Sequence, residues 1–272
     1  MIETGYFKSV QNKLYYNCAI PSGRTKRCGI IFVHAADGNR MGPHRMFVEL
    51  AREFNAIGYP TLRFDLTGCG DSTGTFSAGN INIEVLDVVN AVRFFSEKAG
   101  VDGVVVFAIS RGARVCYNAI SRYNLPLDAM ILLSTPISSG RAGLNTLTNR
   151  LKQYLYKLKD RQNLIRLFCG KVNMKLIWKT LTTAANLTGR YERSDSTTFV
   201  SKPSVLLVYG QYDPIGKQAS SHYTANFTAA GIPAQCHVIT GANHSFFHYT
   251  WKQEIFDVSS QWLSQISDAR AK

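Results

Sequence analysis

One serine of this sequence stands in a setting that could make it a nucleophile. Ser110 follows the apolar run from Val104 to Ala108, which is typical of a strand buried on both faces of a parallel sheet. Gly112 comes two residues later, and residues 111–121 have the pattern of a helix. A tight turn from strand to helix with small neighbours holds a serine hydroxyl clear of the sheet, where it can attack an electrophile. With Ala108 where glycine is usual, the same pattern also fits an ordinary turn.

Two further side chains of suitable chemistry follow predicted strands nearer the carboxyl end of the chain. Asp213 comes just after the run 204–209, and His244 comes shortly after the last predicted strand, 234–239. Because an open α/β sheet collects its ligands at the carboxyl ends of its strands, we expect Ser110, Asp213 and His244 to meet at one edge. The hydroxyl of Ser110 would then lie close to the imidazole of His244 and the carboxylate of Asp213. Taken singly, Asp213 could belong to a turn and His244 to a loop end.

The elements that must position these side chains alternate along most of the chain. From residue 29 to residue 133, strands and helices follow one another in turn, which indicates an α/β protein with a mostly parallel, doubly wound sheet. Two runs of strand composition near the start would add an antiparallel edge. The alternation then stops, and leucines at helical spacing indicate an amphipathic helix. We therefore predict a core of residues 1–138 and 201–272, with residues 139–200 as a helical cap over the carboxyl edge.

The charge of the chain is concentrated in the predicted cap. The formal net charge is +13, and residues 139–200 carry twelve Lys or Arg against three Asp or Glu, which accounts for +9 of it. Such a surface would attract anionic ligands, anionic lipid or nucleic acid. A charged run of this kind is also commonly no more than a solvated face.

Composition and targeting signals narrow the class of protein. With 45% hydrophobic and 18% charged residues, the chain has the composition of a soluble globular protein. No apolar run approaches the roughly 20 residues that cross a bilayer, and the first residues lack the basic start and apolar block of a signal peptide. We therefore expect a cytoplasmic protein without a transmembrane segment. The six cysteines lack zinc-site spacing, which predicts buried free thiols and no metal site.

The sequence resembles the α/β-hydrolases along nearly its whole length. The segment from Gly42 to Gly74 is similar to the small hydrolases associated with exosortase and exopolysaccharide gene clusters, and to esterases and thioesterases. Residues 65–72 match the motif D-x-x-G-x-G-x-S, which is common in such hydrolases. The chain order Ser, Asp, His is also the one expected of that superfamily. Some of the exosortase-associated relatives carry cysteine at the position of the nucleophile, where this chain has Ser110.

The resemblance implies a mechanism for the three side chains. Ser110 Oγ would attack an acyl carbonyl while His244 takes its proton, and Asp213 would hold the imidazole in the useful tautomer.

It also implies an oxyanion hole formed by two backbone N–H groups. One would come from Arg111, directly after the nucleophile, and the other from Ala36 in the loop that follows the first parallel strand. His34 and Ala35 in the same loop would contact the substrate. Many relatives have His-Gly at these two positions, whereas this chain has His-Ala.

Three functions are compatible with these residues. The first is a serine hydrolase that cleaves a carboxylic ester or thioester through an acyl-enzyme, with a small-molecule substrate that could be carrier-bound or anionic. The second is an acyltransferase or an acyl-carrier thioesterase of a biosynthetic pathway, which differs in how well the pocket excludes water. The third is a non-catalytic binding protein with a cationic cap. The presence of all three side chains favours the first, for which we expect no cofactor, no metal and no nucleic-acid partner.

Overall fold

The computed structural model describes residues 2–23, 25–35, 38–76, 81–137 and 198–270. The predicted helical cap, residues 139–200, falls outside these ranges except for its last three positions. Within the described part of the chain, no helix combines the length and the hydropathy that a bilayer crossing requires.

The described strands form one sheet. Their bounds in chain order are β1 Ile2–Ser9, β2 Asn12–Ala19, β3 Cys28–Val33, β4 Thr61–Phe64, β5 Gly103–Ile109, β6 Leu127–Leu133, β7 Ser204–Gly210 and β8 Ala234–Ile239. The order across the sheet is β1-β2-β4-β3-β5-β6-β7-β8. Strands β3 to β8 run parallel to one another, whereas β2 is antiparallel to both β1 and β4. This is the α/β-hydrolase architecture that the sequence predicted, including the antiparallel hairpin at its edge.

Helices cover both faces of the sheet. Their bounds are α1 Met46–Ala56, α2 Ile81–Ala99, α3 Arg111–Arg122, α4 Gly216–Ala229 and α5 Tyr249–Arg270, with a short 3-10 turn at Pro43–Arg45 before α1. The helices α2, α3 and α4 contribute to one hydrophobic core, and α1 and α5 contribute to a second core on the opposite face.

The central strand β5 explains why two cores form. All seven of its residues are buried, and its side chains alternate between the cores because successive residues of a strand point to opposite faces. One core receives Val104, Val106 and Ala108, and the other receives Val105, Phe107 and Ile109. A strand that is apolar on both sides must lie inside the sheet. The carboxyl end of β5 therefore opens onto the middle of the sheet edge.

Candidate active site

Ser110 lies at the turn between β5 and α3. Its backbone has φ 52° and ψ −122°, a region that residues other than glycine rarely adopt. Its N–H donates to the carbonyl oxygen of Leu133 at 2.8 Å, which ties the turn to the end of β6. A Cβ atom added to Gly112 would lie 2.6 Å from the carbonyl oxygen of Val33. The glycine is therefore required for α3 to approach the end of β3.

The side chains of Ser110, His244 and Asp213 are brought together. Nε2 of His244 lies 3.1 Å from the Oγ atom of Ser110, and Nδ1 of His244 lies 3.1 Å from each carboxylate oxygen of Asp213. Because an ionised carboxylate only accepts hydrogen bonds, Nδ1 carries the proton and Nε2 is left as the acceptor for the serine hydroxyl. The imidazole is thus set in the tautomer that can remove a proton from Ser110.

Asp213 and His244 lie in the loops that follow β7 and β8. Gly210 ends β7, and a Cβ atom there would lie 2.5 Å from the carbonyl oxygen of Ala242 in the loop after β8. The two loops also share the hydrogen bond from Tyr212 N–H to the carbonyl oxygen of Ala242, at 2.8 Å. Because the loops approach so closely, Asp213 and His244 can meet although they follow different strands.

The carboxylate of Asp213 is fully shielded from solvent. Burial alone would raise its pKa, but hydrogen bonding to His244 and the electrostatic interaction with that ring lower it. The N–H of Ile215 donates to Oδ1 at 3.0 Å and acts in the same direction. The net result is a pKa below the ordinary value for aspartate, so Asp213 is ionised at neutral pH.

Of the two predicted oxyanion donors, Arg111 lies among the described residues and Ala36 does not. Arg111 is the first residue of α3, where backbone N–H groups lack intrahelical acceptors. Its side chain is buried and pairs with Glu84 of α2, with Nε at 2.9 and 3.0 Å from the two carboxylate oxygens. This pair had no signal in the sequence. The other predicted donor, Ala36, lies outside the described residues.

His34 and Ala35 lie where the sequence placed them, at the end of β3. The His34 ring is buried, and its Nε2 accepts a hydrogen bond from the N–H of Leu66 at 3.0 Å. Nδ1 therefore carries the proton and donates to the carbonyl oxygen of Ala35 at 2.7 Å. Burial lowers the pKa of His34. Both ring nitrogens are used within the protein, so the contacts of His34 support a role in holding the loop.

A cleft of about 270 Å³ opens beside these residues. It is bounded by the ends of β3 and β5 and by the loop after β8, and its lining includes His34, Ala35, Gly42, Ser110 and His244. The nucleophile candidate and the imidazole thus face a common space that is suited to a small part of a substrate. A cavity of about 390 Å³ lies elsewhere, lined by residues such as Cys28, Asp128 and Leu263. It contains none of the three side chains.

The motif at residues 65–72 forms a closed turn after β4. The carboxylate of Asp65 is buried and accepts a hydrogen bond from the N–H of Asp71 at 2.9 Å. Ser72 donates from Oγ to the carbonyl oxygen of Asp65 at 2.6 Å, and the same Oγ accepts from the N–H of Tyr15 in β2. A Cβ atom at Gly70 would collide with the Asp65 carboxylate. The motif therefore encodes a compact turn around one buried carboxylate.

Part of this chain is similar in sequence to curated proteins that are named as lipases. This chain is 31% identical over 138 residues to the lysophosphatidylserine lipase ABHD12 of Bos taurus, which is 49% of this chain and 33% of that protein. It is 32% identical over 108 residues to the protein of the same name from Gallus gallus, covering 39% and 27%. The chain thus spans about a third of the length of the curated relatives that it matches.

Solved structures and a family model cover much more of the chain. An esterase of Pyrococcus furiosus superposes with a TM-score of 0.72 at 18% identity, over 97% of this chain and 91% of that one. A serine hydrolase homologue from Coxiella burnetii superposes with a TM-score of 0.61 at 18% identity, over 94% of each. These likenesses establish the fold. The model of the alpha/beta hydrolase family matches residues 30–258, and the chain therefore belongs to that family.

Proposed function

We propose that this protein is a serine hydrolase that cleaves a carboxylic ester or thioester through an acyl-enzyme intermediate. The observation that carries the proposal is the hydrogen-bonded series from Ser110 through His244 to Asp213, with every link at 3.1 Å. A serine hydroxyl is a weak nucleophile until an adjacent base removes its proton, and the base works best when a third group orients it. The family match and the lipase names of the relatives support the same chemistry.

The reaction would proceed in two halves. Oγ of Ser110 forms a bond to the acyl carbon while its proton passes to Nε2 of His244, and Asp213 stabilises the imidazolium. The bond to the leaving alcohol or thiol then breaks as His244 returns that proton to the leaving atom. In the second half, water attacks the acyl-enzyme and gives its proton to His244. The proton finally passes to Oγ as the acyl bond breaks, which regenerates Ser110.

The negative charge on the carbonyl oxygen needs donors. We propose the backbone N–H of Arg111, at the amino end of α3, where the helix dipole also favours an anion. We keep Ala36 as the second proposed donor, with Ala35 beside the bound substrate. Loss of one such donor typically lowers turnover by about 100-fold or more.

Acyl transfer to an alcohol or amine is the second candidate. It uses the same acyl-enzyme and differs only in the acceptor. We retain the cap at residues 139–200, a preference of its basic residues for an anionic substrate, and a cytoplasmic location as parts of the proposal.

Labelling with a fluorophosphonate probe tests the proposal. We expect the wild-type protein to be labelled, and labelling to be lost in Ser110→Ala and strongly slowed in His244→Ala. Ser245→Ala is the matched control, because this serine also lines the cleft and is assigned no role in the reaction. Labelling that persists in Ser110→Ala rejects the nucleophile. A series of p-nitrophenyl esters and acyl thioesters, assayed with and without an added alcohol, then separates the bond type and the acceptor.

A further inference from the structure

An ion pair links the cleft to the turn at residues 65–72. Arg40 lies in the loop after β3, and its Nη1 contacts the carboxylate of Asp65. Nη2 of Arg40 lies 2.8 Å from the carboxylate of Asp71, and its Nε donates to Oδ1 of Asn17 at 2.8 Å. The guanidinium also lies over the ring of Tyr15, 4.3 Å from its centroid. Together these contacts cover most of the Arg40 side chain, which is 19% exposed.

The carboxylate of Asp65 makes a second contact with the loop after β3, a hydrogen bond to the main chain. Besides the side chain, the backbone N–H of Arg40 donates to Oδ1 at 2.6 Å. Asp65 therefore fixes both the main chain and the side chain of one residue. A buried carboxylate is costly unless such donors surround it, so this geometry is strongly preferred once the chain is folded.

The loop after β3 is anchored at two places to the two residues that directly follow β4. His34, at its start, accepts from the N–H of Leu66, and Arg40, further along, binds Asp65. Between and beside these anchors lie residues that line the cleft, among them Ala35, Asn39 and Gly42. A loop without regular structure loses much conformational entropy when it is fixed, so two anchors on one rigid turn set the position of this wall.

We propose that Arg40 is a positioning residue, which with Asp65 holds residues 38–42 as a wall of the cleft in the arrangement that presents an acyl group to Ser110. This inference rests on the proposed function, because the consequence of misplacement is a slower acylation of Ser110. Displacements of about 1 Å far from the reacting atoms can cost roughly 100-fold in rate.

The test uses Arg40→Met, which keeps the length of the side chain and removes its charge and donors, together with Asp65→Asn. Protein is first shown to be folded by circular dichroism at the assay temperature. We expect each variant to lower the rate of fluorophosphonate labelling and the kcat for p-nitrophenyl acetate by about 10- to 100-fold. The midpoint of the pH–rate profile should stay in place, because neither change touches Asp213 or His244.

Three further variants test whether Arg40 and Asp65 act as a pair. The double variant should lose no more than the worse single variant, because groups that act as a unit are not additive. Arg40→Lys keeps the cation without the planar fork, so we expect partial recovery relative to Arg40→Met. Arg27→Met breaks the exposed ion pair with Asp102 and should leave the labelling rate unchanged.

Folded Arg40→Met that is labelled at the wild-type rate overturns the inference, and so does a strictly additive double variant. If Arg40→Met does not fold, Arg40→Lys carries the test, and wild-type labelling in that variant at every pH overturns the inference. A wild-type protein that is never labelled, or a Ser110→Ala variant that is, rejects the proposed function instead. The two failures are therefore distinguishable.

Discussion

The Oγ atom of Ser110 and Nε2 of His244 are 3.1 Å apart, although 134 residues separate them in the chain. The contact depends on two close approaches of backbone at glycines. Gly112 allows the helix after Ser110 to pack against the end of β3. Gly210 allows the loop after β7 to pack against the loop that carries His244. Both lie at the carboxyl edge of the parallel strands, where open α/β sheets place their ligands.

Replacement of Asp213 by asparagine tests the orienting role of the carboxylate. Asn keeps the shape but offers an N–H and a carbonyl, so the imidazole is no longer held with its proton on Nδ1. We expect kcat for a p-nitrophenyl ester to fall by about 10⁴-fold, while KM changes little. Asp257→Asn on α5 is the control. A loss of less than tenfold in Asp213→Asn would mean that another acid orients His244.

Gly210→Ala tests the close approach of the two loops. The new Cβ atom would lie 2.5 Å from the carbonyl oxygen of Ala242, and backbone must move to relieve the contact. We expect a loss of about 1–3 kcal/mol in the free energy of unfolding, and slower labelling of Ser110. Gly23→Ala is the matched control, since nothing lies within 4 Å of its added Cβ. Equal stabilities in chemical denaturation would contradict the packing argument.

Short-range patterns accounted for most of the fold and for the three central side chains. The apolar runs at residues 104–108 and 204–209 predicted β5 and β7, and the two runs of strand composition near the start correspond to the antiparallel hairpin of β1 and β2. Ser110, Asp213 and His244 could be selected because each lies within five residues of the end of a strand. Arg40 could not, because nothing in its own segment indicates that its partner is Asp65. The burial of Arg111 against Glu84 was equally hidden, since charged residues on helices usually face solvent.

The free energy of unfolding should depend on pH through His34. Burial lowers the pKa of this ring in the folded state, so the unfolded chain binds a proton more readily. The stability that the neutral ring provides is fully present above the unfolded pKa of about 6.5, and it is lost as the pH falls from there toward the folded pKa. The contribution to the slope is at most about 1.4 kcal/mol per pH unit.

His34→Gln isolates this contribution from those of the other histidines. Glutamine has an oxygen that can accept from the N–H of Leu66, and it does not titrate. Urea unfolding of both proteins at pH 7.5, 6.5 and 5.5 should give a shallower decline for His34→Gln than for the wild type. Parallel declines would show that His34 does not contribute to the pH dependence.

Glu84→Gln tests the buried ion pair behind the nucleophile. Nη2 of Arg111 lies 2.8 Å from the Glu84 carboxylate, and the two side chains are only 10% and 4% exposed. Glutamine removes one charge of this buried pair, and breaking a buried ion pair typically costs about 3–5 kcal/mol. Asp102→Asn breaks the pair of Arg27 and Asp102, whose side chains are 89% and 69% exposed, and should cost less than about 1 kcal/mol. Chemical denaturation of the two variants measures the difference directly.

Because Arg111 begins α3 next to Ser110, we also expect Glu84→Gln to slow fluorophosphonate labelling. An unchanged labelling rate would mean that the turn at Ser110 keeps its conformation without the ion pair.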